Sequence, residues 1–344
     1  MKLSIASILA LTSALLLIGC GSPAVPRDAS PGTQTESTHP KKKLRIVLIA
    51  KSSTNPVFLA ARVGAEAAAR DLSAKGEAEV TIDWRTPEVE DGQVQANRIA
   101  QAVSEGADAI LISCSDAAKV TGAIDDAVAA GVPVMTFDSD APDSKRFAFY
   151  GGDSKDIGKQ VMLELSKQLK GRGQVAVLAG NPNAPNLQLR VAGALEEAKK
   201  HPGVQVIGTF YHPETPQDAA AEVLRAMQAN PEIDGWAMIG GWPLFTQALL
   251  TDLDPNKVKV VAVDCLPAQM AYIDKGIAPV LLAQPTYDWG YVSVQKIYEY
   301  VIDEAEVPEV VKMELVPVRK ENLKDWAKKL VDWGFSDVDP KFLE

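Results

Sequence analysis

Cysteine is scarce in this chain. Cys20, Cys114 and Cys265 are the only three, too few for a disulfide scaffold, and no C-x-x-C pair points to zinc or redox chemistry. Histidine is equally scarce: His39, His201 and His212 are scattered, so no metal site follows from their spacing. No cofactor of any kind is expected. There is no basic excess either; the formal net charge of −10 argues against a nucleic-acid partner, which needs a basic stripe to displace counterions. After the first twenty or so residues no apolar run approaches the ~18 that span a bilayer. G-x-S-x-G, a phosphate loop and a nucleophile–base pair are all missing, so the chain is expected not to be an enzyme. Asp138 and Asp264 would form an acid/base pair only by coincidence.

What is present begins with the N-terminus. Residues 1–20 read Met-Lys, an apolar run from 3 to 18, then Gly19-Cys20. One positive charge before ~16 mostly apolar residues fits a secretory signal better than a full membrane span. The stretch Leu17-Ile18-Gly19-Cys20 resembles the bacterial lipobox, and that resemblance makes Cys20 the lipidated residue. Residues 21–43 are rich in Gly, Ser, Pro and Thr and end in Lys41-Lys42-Lys43; they read as a flexible tether.

The remaining ~300 residues exceed what one hydrophobic core usually fills, so two domains are expected. From residue 44 apolar strand-like runs (44–50, 80–84, 109–113, 132–137) alternate with helical stretches (56–72, 92–105, 117–130). Pro56, after Thr54 and Asn55, marks a helix start, and Gly131-Val132-Pro133 marks a stop. After the 147–153 segment the alternation resumes. Strands at 174–179, 204–210, 235–239, 258–263 and 279–283 are separated by helices at 154–169, 186–200, 216–228, 244–250 and 267–275, and a long helix follows at 287–303. Nearly continuous apolar strands alternating with amphipathic helices predict buried parallel sheets covered on both faces. The expected fold is α/β: two doubly wound parallel-sheet domains joined by a multi-segment hinge. One domain comprises 44–150 plus 285–312, the other 151–284 plus 313–344.

In open α/β sheets ligands bind beyond the carboxyl ends of the strands, so the residues that follow each strand are the candidates. They are Lys51–Phe58 after the first strand, Ser113-Cys114 after the third, and Asp138-Ser139 after the fourth. In the second half Arg190 lies in the helix after Gly180-Asn181-Pro182, Gly241-Trp242 follows 235–239, Asp264 follows 258–263 and Gln284 follows 279–283. Their order resembles that of bacterial periplasmic sugar-binding proteins of the ribose-binding type (type I periplasmic-binding fold), which share a fold with the ligand domains of lactose-repressor-like regulators. The resemblance covers about 44–318 and is carried by Lys51–Phe58, 134–138, the helix around Arg190, and 260–264. It implies ligand contacts from Lys51, Asn55, Phe58, Ser113 and Asp138 in one domain and Arg190, Asp264 and Gln284 in the other. Carboxylates and a guanidinium fork can each engage two sugar hydroxyls, and an aromatic side covers the ring's apolar face.

The chain departs from that pattern within the pocket. Val57 stands before Phe58 where two aromatics are common, and Ser139 follows Asp138 where Arg is common. Gly241-Trp242 replaces an Asn-Asp pair, and the aromatic that the family carries near Glu214 is missing. Trp242 is a candidate for the lost stacking face, with interdomain packing as its alternative. Asp138 and Asp264 have helix N-caps as theirs, Phe58 has the core, and Lys51 a solvated strand end. Cys114 and Cys265, on opposite domains, are expected to stay free.

The resemblance implies a monomeric solute-binding lipoprotein of the cell envelope, in the periplasm or at the outer face of the membrane. It would close around a small polar solute, by the resemblance a sugar, at hinges near 150–152, 283–285 and 312–313, and deliver it to an ABC permease. A sensor partner binding a sugar or a small signalling molecule is the alternative. A lactose-repressor-type regulator would need an N-terminal DNA-binding domain where this chain has Cys20 and its signal.

Overall fold

The computed structural model describes residues 41–344. The signal at 1–20, Cys20 and the tether up to residue 40 lie outside the described residues.

The alternation seen in the sequence becomes β1 (Lys42–Ile49), α1 (Pro56–Lys75), β2 (Ala78–Trp84), α2 (Gly92–Ser104), β3 (Ala109–Ile112), α3 (Ala117–Ala129), β4 (Val134–Phe137) and β5 (Ala148–Gly151). A second series follows: α4 (Ser154–Gln168), β6 (Arg172–Ala179), α5 (Pro185–Ala198), β7 (Gly203–Tyr211), α6 (Pro216–Ala229), β8 (Ile233–Met238), β9 (Lys259–Val263), α7 (Met270–Asp274) and β10 (Val280–Ala283). The chain ends with α8 (Thr286–Val301), β11 (Val310–Lys312), β12 (Val316–Val318) and α9 (Leu323–Asp332).

Two six-stranded sheets result, ordered β11-β5-β4-β3-β1-β2 and β12-β10-β9-β8-β6-β7. Each is the doubly wound 2-1-3-4-5 order with one added edge strand. The first sheet is parallel throughout, and the second is parallel except for β12, which runs antiparallel to β10. The alternating side chains of each strand feed two cores, one per face. Leu44, Ile46 and Leu48 of β1 enter one core while Val47 and Ile49 enter the other. In β6, Ala176 and Leu178 face away from Val175, Val177 and Ala179. Each sheet with its helices is a lobe, and the chain passes between the lobes three times: after β5, after β10, and between β11 and β12.

Glycines set the closest helix approaches, and they do so in the same way in both lobes. A Cβ on Gly64 of α1 would overlap the Tyr287 carbonyl oxygen of α8, and one on Gly290 of α8 would overlap the Ala61 carbonyl oxygen. In the second lobe a Cβ on Gly158 of α4 would overlap the Arg190 carbonyl, and one on Gly193 of α5 the Lys155 carbonyl. Each pair of helices touches backbone to backbone, which only hydrogen side chains permit.

Two differences from the sequence reading stand out. The helix expected at 244–250 is absent: a single 3-10 turn at Trp242–Leu244 gives way to irregular turns. The Tyr272 hydroxyl donates to the Thr246 carbonyl at 2.6 Å and also to that of Leu249, and Leu250 adopts a left-handed φ of 53°. A tertiary donor has taken carbonyls that a helix would have used. The last segment, α9 and the turns after it, packs Leu323, Trp326, Ala327 and Leu330 into the core of the second lobe. Trp333 also reaches the first lobe, where its ring stacks on Tyr287 of α8 at 5.5 Å and 5°.

Gly64→Ala or Gly158→Ala is expected to lower stability by about 1–3 kcal/mol, the usual cost of overpacking. Chemical denaturation of the purified variants reads it; an unchanged midpoint would contradict the backbone contact.

Candidate functional site

Both sheets direct the carboxyl ends of their strands toward the crevice between the lobes, at the switch point where strand order reverses. On the first lobe Lys51 follows β1, Ser113 follows β3 and Asp138 follows β4. Gln95 of α2 locks this edge: its amide nitrogen donates to the carbonyls of Ala50 (3.1 Å) and Ser113 (2.8 Å), and its oxygen accepts from the Ser115 amide (2.9 Å). On the second lobe Arg190 comes from α5, Asp264 follows β9 and Gln284 follows β10.

A small cavity between the lobes is lined by Lys51, Asn55, Phe58, Asp138, Arg190, Trp242, Asp264 and Gln284. Eight of the nine sequence candidates thus meet at one place. Ser113 stands behind it, donating its hydroxyl to Asp138 Oδ2 at 2.9 Å. The free space is about 30 Å³, room for little more than a water molecule.

Asp138 is the centre of a buried polar network. Lys51 Nζ approaches Oδ2 at 3.9 Å. From the other lobe Asn186 donates its amide to Oδ1 at 3.1 Å, and Arg190 lies 3.8 Å from the same oxygen. Arg190 donates to the Ile239 carbonyl (3.1 Å) and to Gln284 Oε1 (2.8 Å), and Gln284 donates in turn to Asp264 Oδ1 (2.8 Å). A chain of hydrogen bonds, with the Arg190–Asp138 ion pair as its link across the lobes, therefore runs from Ser113 to Asp264. Lys51, Asp138, Arg190 and Asp264 are all at most 6% exposed. Burial raises the Asp264 pKa, while the Gln284 amide and the Arg190 guanidinium oppose that rise. Burial opposes the charge on Lys51, yet Glu90, Glu214 and Asp138 outweigh it and hold the ammonium above its usual range. Arg190 Nε has no partner, so the fork retains donor capacity.

The alternatives left open by the sequence resolve from geometry. Neither Asp138 nor Asp264 caps an α-helix; both adopt left-handed backbone, at φ 55° and 71°. Asn55 both lines the cavity and caps α1, accepting from the Val57 amide at 3.2 Å. Phe58 is core and cavity wall at once: it packs on Phe137 (6.4 Å) and Trp289 (6.0 Å) to form an aromatic floor. Trp242 lines the cavity and meets His212 edge-on at 4.9 Å. Lys51 is buried, not solvated.

Sequence reasoning missed Asn186, Trp289, Glu90 and Glu214. Asn186 stands one helical turn before Arg190, so their shared face was a usable signal. Trp289 carries no local signal, because nothing in the sequence around it says that α8 returns beneath the first lobe. Glu90 and Glu214 follow the edge strands β2 and β7, where the same strand-end rule would have pointed. They border a second, larger cleft of about 530 Å³ between the lobes, also lined by Ser52, Thr54, Asn181 and His212. Glu214 lines both spaces. Burial, with Glu214 adding to it and Lys51 opposing, pushes the Glu90 carboxyl up to about 8.

Two lobes that present buried hydrogen-bonding groups to a shared crevice define a bilobal solute-binding protein. Residues 46–305 match the family model described as "Periplasmic binding protein domain", and the chain belongs to that family. It is 28% identical over 183 residues to the ribose import binding protein of Bacillus subtilis, covering 53% of this chain and 56% of that one. It is 24% identical over 285 residues to the xylose/arabinose-binding protein of Sulfolobus acidocaldarius, covering 77% and 68%. The alignment thus spans just over half of the first relative and two-thirds of the second. Among solved structures, an ABC transporter solute-binding protein from Burkholderia graminis in complex with D-arabinose superposes with a TM-score of 0.74 at 25% identity, over 82% of this chain and 96% of that one. The sequence relatives are sugar-binding proteins and the structural one is the solute-binding protein of an ABC transporter; they are not enzymes. Membership of the family implies a location outside the cytoplasm. Among the described residues no helix is long and apolar enough to cross a membrane, and no cluster of His, Cys, Asp and Glu is arranged to hold a metal.

Cys114 and Cys265 are free and buried, and burial raises both thiol pKa values. In the native protein neither is expected to react with iodoacetamide at pH 8, and both should react after denaturation. Peptide mapping distinguishes them; native labelling of either would contradict the closed packing around the crevice.

Proposed function

We propose that this protein captures a sugar by closing its two lobes around it and delivers it to an ABC importer. Cys20, acylated, would hold the protein at the outer face of a membrane, and residues 21–43 would let the body move in water. Lys51, Asn55, Phe58, Asp138, Arg190, Trp242, Asp264 and Gln284 are the proposed ligand contacts, with Ser113 orienting Asp138. The lobes proposed are 44–150 plus 285–312 and 151–284 plus 313–344, with the hinge at the three strand crossings.

One observation carries this reading: Asp138 and Asp264 belong to different lobes, yet an ion pair from Asp138 to Arg190 and hydrogen bonds from Arg190 through Gln284 to Asp264 join them across a shared cavity. Buried carboxylates demand donors. In the closed form the lobes supply donors to one another, and a sugar's vicinal hydroxyls can take over those same bonds while the ring lies on the Phe58–Trp289 floor. The free space is far smaller than a monosaccharide, so entry requires the lobes to part. A ligand shifts the open–closed balance only through contacts that the closed form alone makes, and a network divided between lobes provides that difference. The bound sugars of the structural relatives and the names of the sequence relatives agree with this ligand class.

A thermal-shift screen with pentoses, hexoses, polyols and sugar acids is expected to find a ligand that raises the melting temperature, because only the folded protein binds it. With that ligand, Asp138→Ala and Asp264→Ala should each weaken binding by about 10- to 100-fold, the worth of a charged hydrogen bond. Trp242→Ala should weaken it as well. Unaltered affinity in both aspartate variants would refute the site, and unaltered affinity in Trp242→Ala would remove that ring from it.

A further inference from the structure

The charge in and around the crevice does not balance. Lys51 and Arg190 are its cations, while Asp138, Asp264, Glu88, Glu90 and Glu214 are its carboxyl groups, three more acids than bases. Asp138 and Asp264 are served by the network described above. Glu90 is not: both of its carboxyl oxygens are shut off from solvent and accept no hydrogen bond. Asn181 and Glu214 lie beside it, Glu214 close enough to share its proton, and Lys51 makes no ion pair with it within 4 Å. Glu214 receives the backbone amide of Asn181 at 2.8 Å through one oxygen.

A second orphan acceptor stands in the same cleft. His212 Nδ1 lies 2.6 Å from the Pro213 carbonyl; a carbonyl only accepts, so Nδ1 carries the hydrogen and Nε2 holds a lone pair. That Nε2 is buried without a partner, and burial lowers the His212 pKa, which keeps the ring neutral. Two unrelated side chains, one from the β2–α2 loop and one from the β7–α6 loop, therefore hold unserved acceptors in the wall of one 530 Å³ space. Glu214 joins that space to the polar cavity.

We propose that the cleft formed by Glu90, Glu214 and His212 is a subsite for a positively charged nitrogen, and that the solute is a polyhydroxylated molecule bearing an amino group. This rests on the reading of the adjoining cavity as a sugar site. An ammonium supplies three donors and one positive charge, which answers both the orphan acceptors and the surplus of negative charge. A sugar acid would add to that surplus.

The proposal has a thermodynamic signature. The charged groups facing Glu90 are Lys51 from the end of β1 and Glu214 from the other lobe; Asp138 and Arg190 act at one remove, on Lys51. When the lobes close on a neutral solute, Glu90 is buried with no counter-ion in contact and takes up a proton. Its pKa in the closed form lies above that in the open form. Neutral-solute binding is therefore strongest at low pH and weakens as pH rises from the ordinary carboxylate value of 4.5 toward about 8, by up to about tenfold per unit. Closure on an ammonium leaves Glu90 ionised, and affinity stays level through that window until the amine itself begins to lose its proton, at about pH 7.7–8.0 for an amine of the α-amino kind.

Calorimetric titration should compare D-glucose with D-glucosamine, D-galactose with D-galactosamine, and D-sorbitol with 1-amino-1-deoxy-D-sorbitol, between pH 5.5 and 8. The expected result is that at least one amino compound binds about 10- to 100-fold more tightly than its neutral partner at pH 7.5. Glu90→Gln should bring that ratio close to one and flatten the pH dependence of the neutral partner. Glu214→Gln, at a half-buried position, should reduce the ratio in the same direction, which guards against misfolding of the first variant. Neutral sugars that bind as tightly as every amino partner, with affinity level across the pH range, would overturn the subsite and leave the sugar reading standing. If no compound of either kind binds, and none raises the melting temperature in the wider screen, the sugar reading fails and the subsite with it.

Discussion

A carboxylate taken out of water must be given donors, and at Asp138 those donors come from both halves of the molecule. Ser113 and Lys51 reach it from its own lobe; Asn186 and Arg190 reach it from the other. Removing one partner from such a group costs far more than the pair contributes on its own. The closed arrangement therefore depends on a network that neither lobe can complete alone. The same dependence makes the crevice suitable for a polyhydroxylated ligand, which carries donors and acceptors in the density that the network needs.

The scaffold around this centre repeats itself. Both sheets have the same strand order, both lobes use a glycine-to-glycine helix contact, and both hold an aspartate in left-handed backbone just past a strand end. That backbone conformation costs about 1–2 kcal/mol for most residues and is least unfavourable for Asp and Asn. It turns each carboxylate out of its strand direction and into the crevice, and strain of this kind concentrates at functional sites. The second lobe also braces its aspartate from behind. The Gln269 side chain donates to the Asp264 carbonyl (3.2 Å), and Trp326 of α9 donates to that of Cys265 (2.7 Å). The C-terminal segment thus supports the loop that carries Asp264.

Much of the fold could be read from residue order because local patterns dictate it. Four-residue apolar runs such as β3 and β4 are buried on both faces, and such runs, separated by amphipathic helices, suit few architectures. The helix expected at 244–250 failed for a reason no local pattern carries: Tyr272, far along the chain, takes the carbonyls that the helix would have used. At the site, Lys51, Asp138, Arg190 and Asp264 were legible because each follows a strand end or heads a helix. Glu90 and His212 were not singled out, since a glutamate or histidine in a loop is ordinarily solvated. The neighbours that remove their water, Glu214 and Asn181 for Glu90 and Trp242 for His212, are distant in sequence or lie on another element.

Residue order by itself determined two α/β lobes, the strand ends at which polar groups gather, and a family resemblance that the comparisons support. Those properties follow from hydrophobic periodicity and turn chemistry, which act over a few residues. The tertiary structure alone decided which polar groups are paired and which are left without partners. Desolvation depends on what packs opposite a side chain, and for Asp138 and Glu90 those neighbours include residues of the other half of the protein.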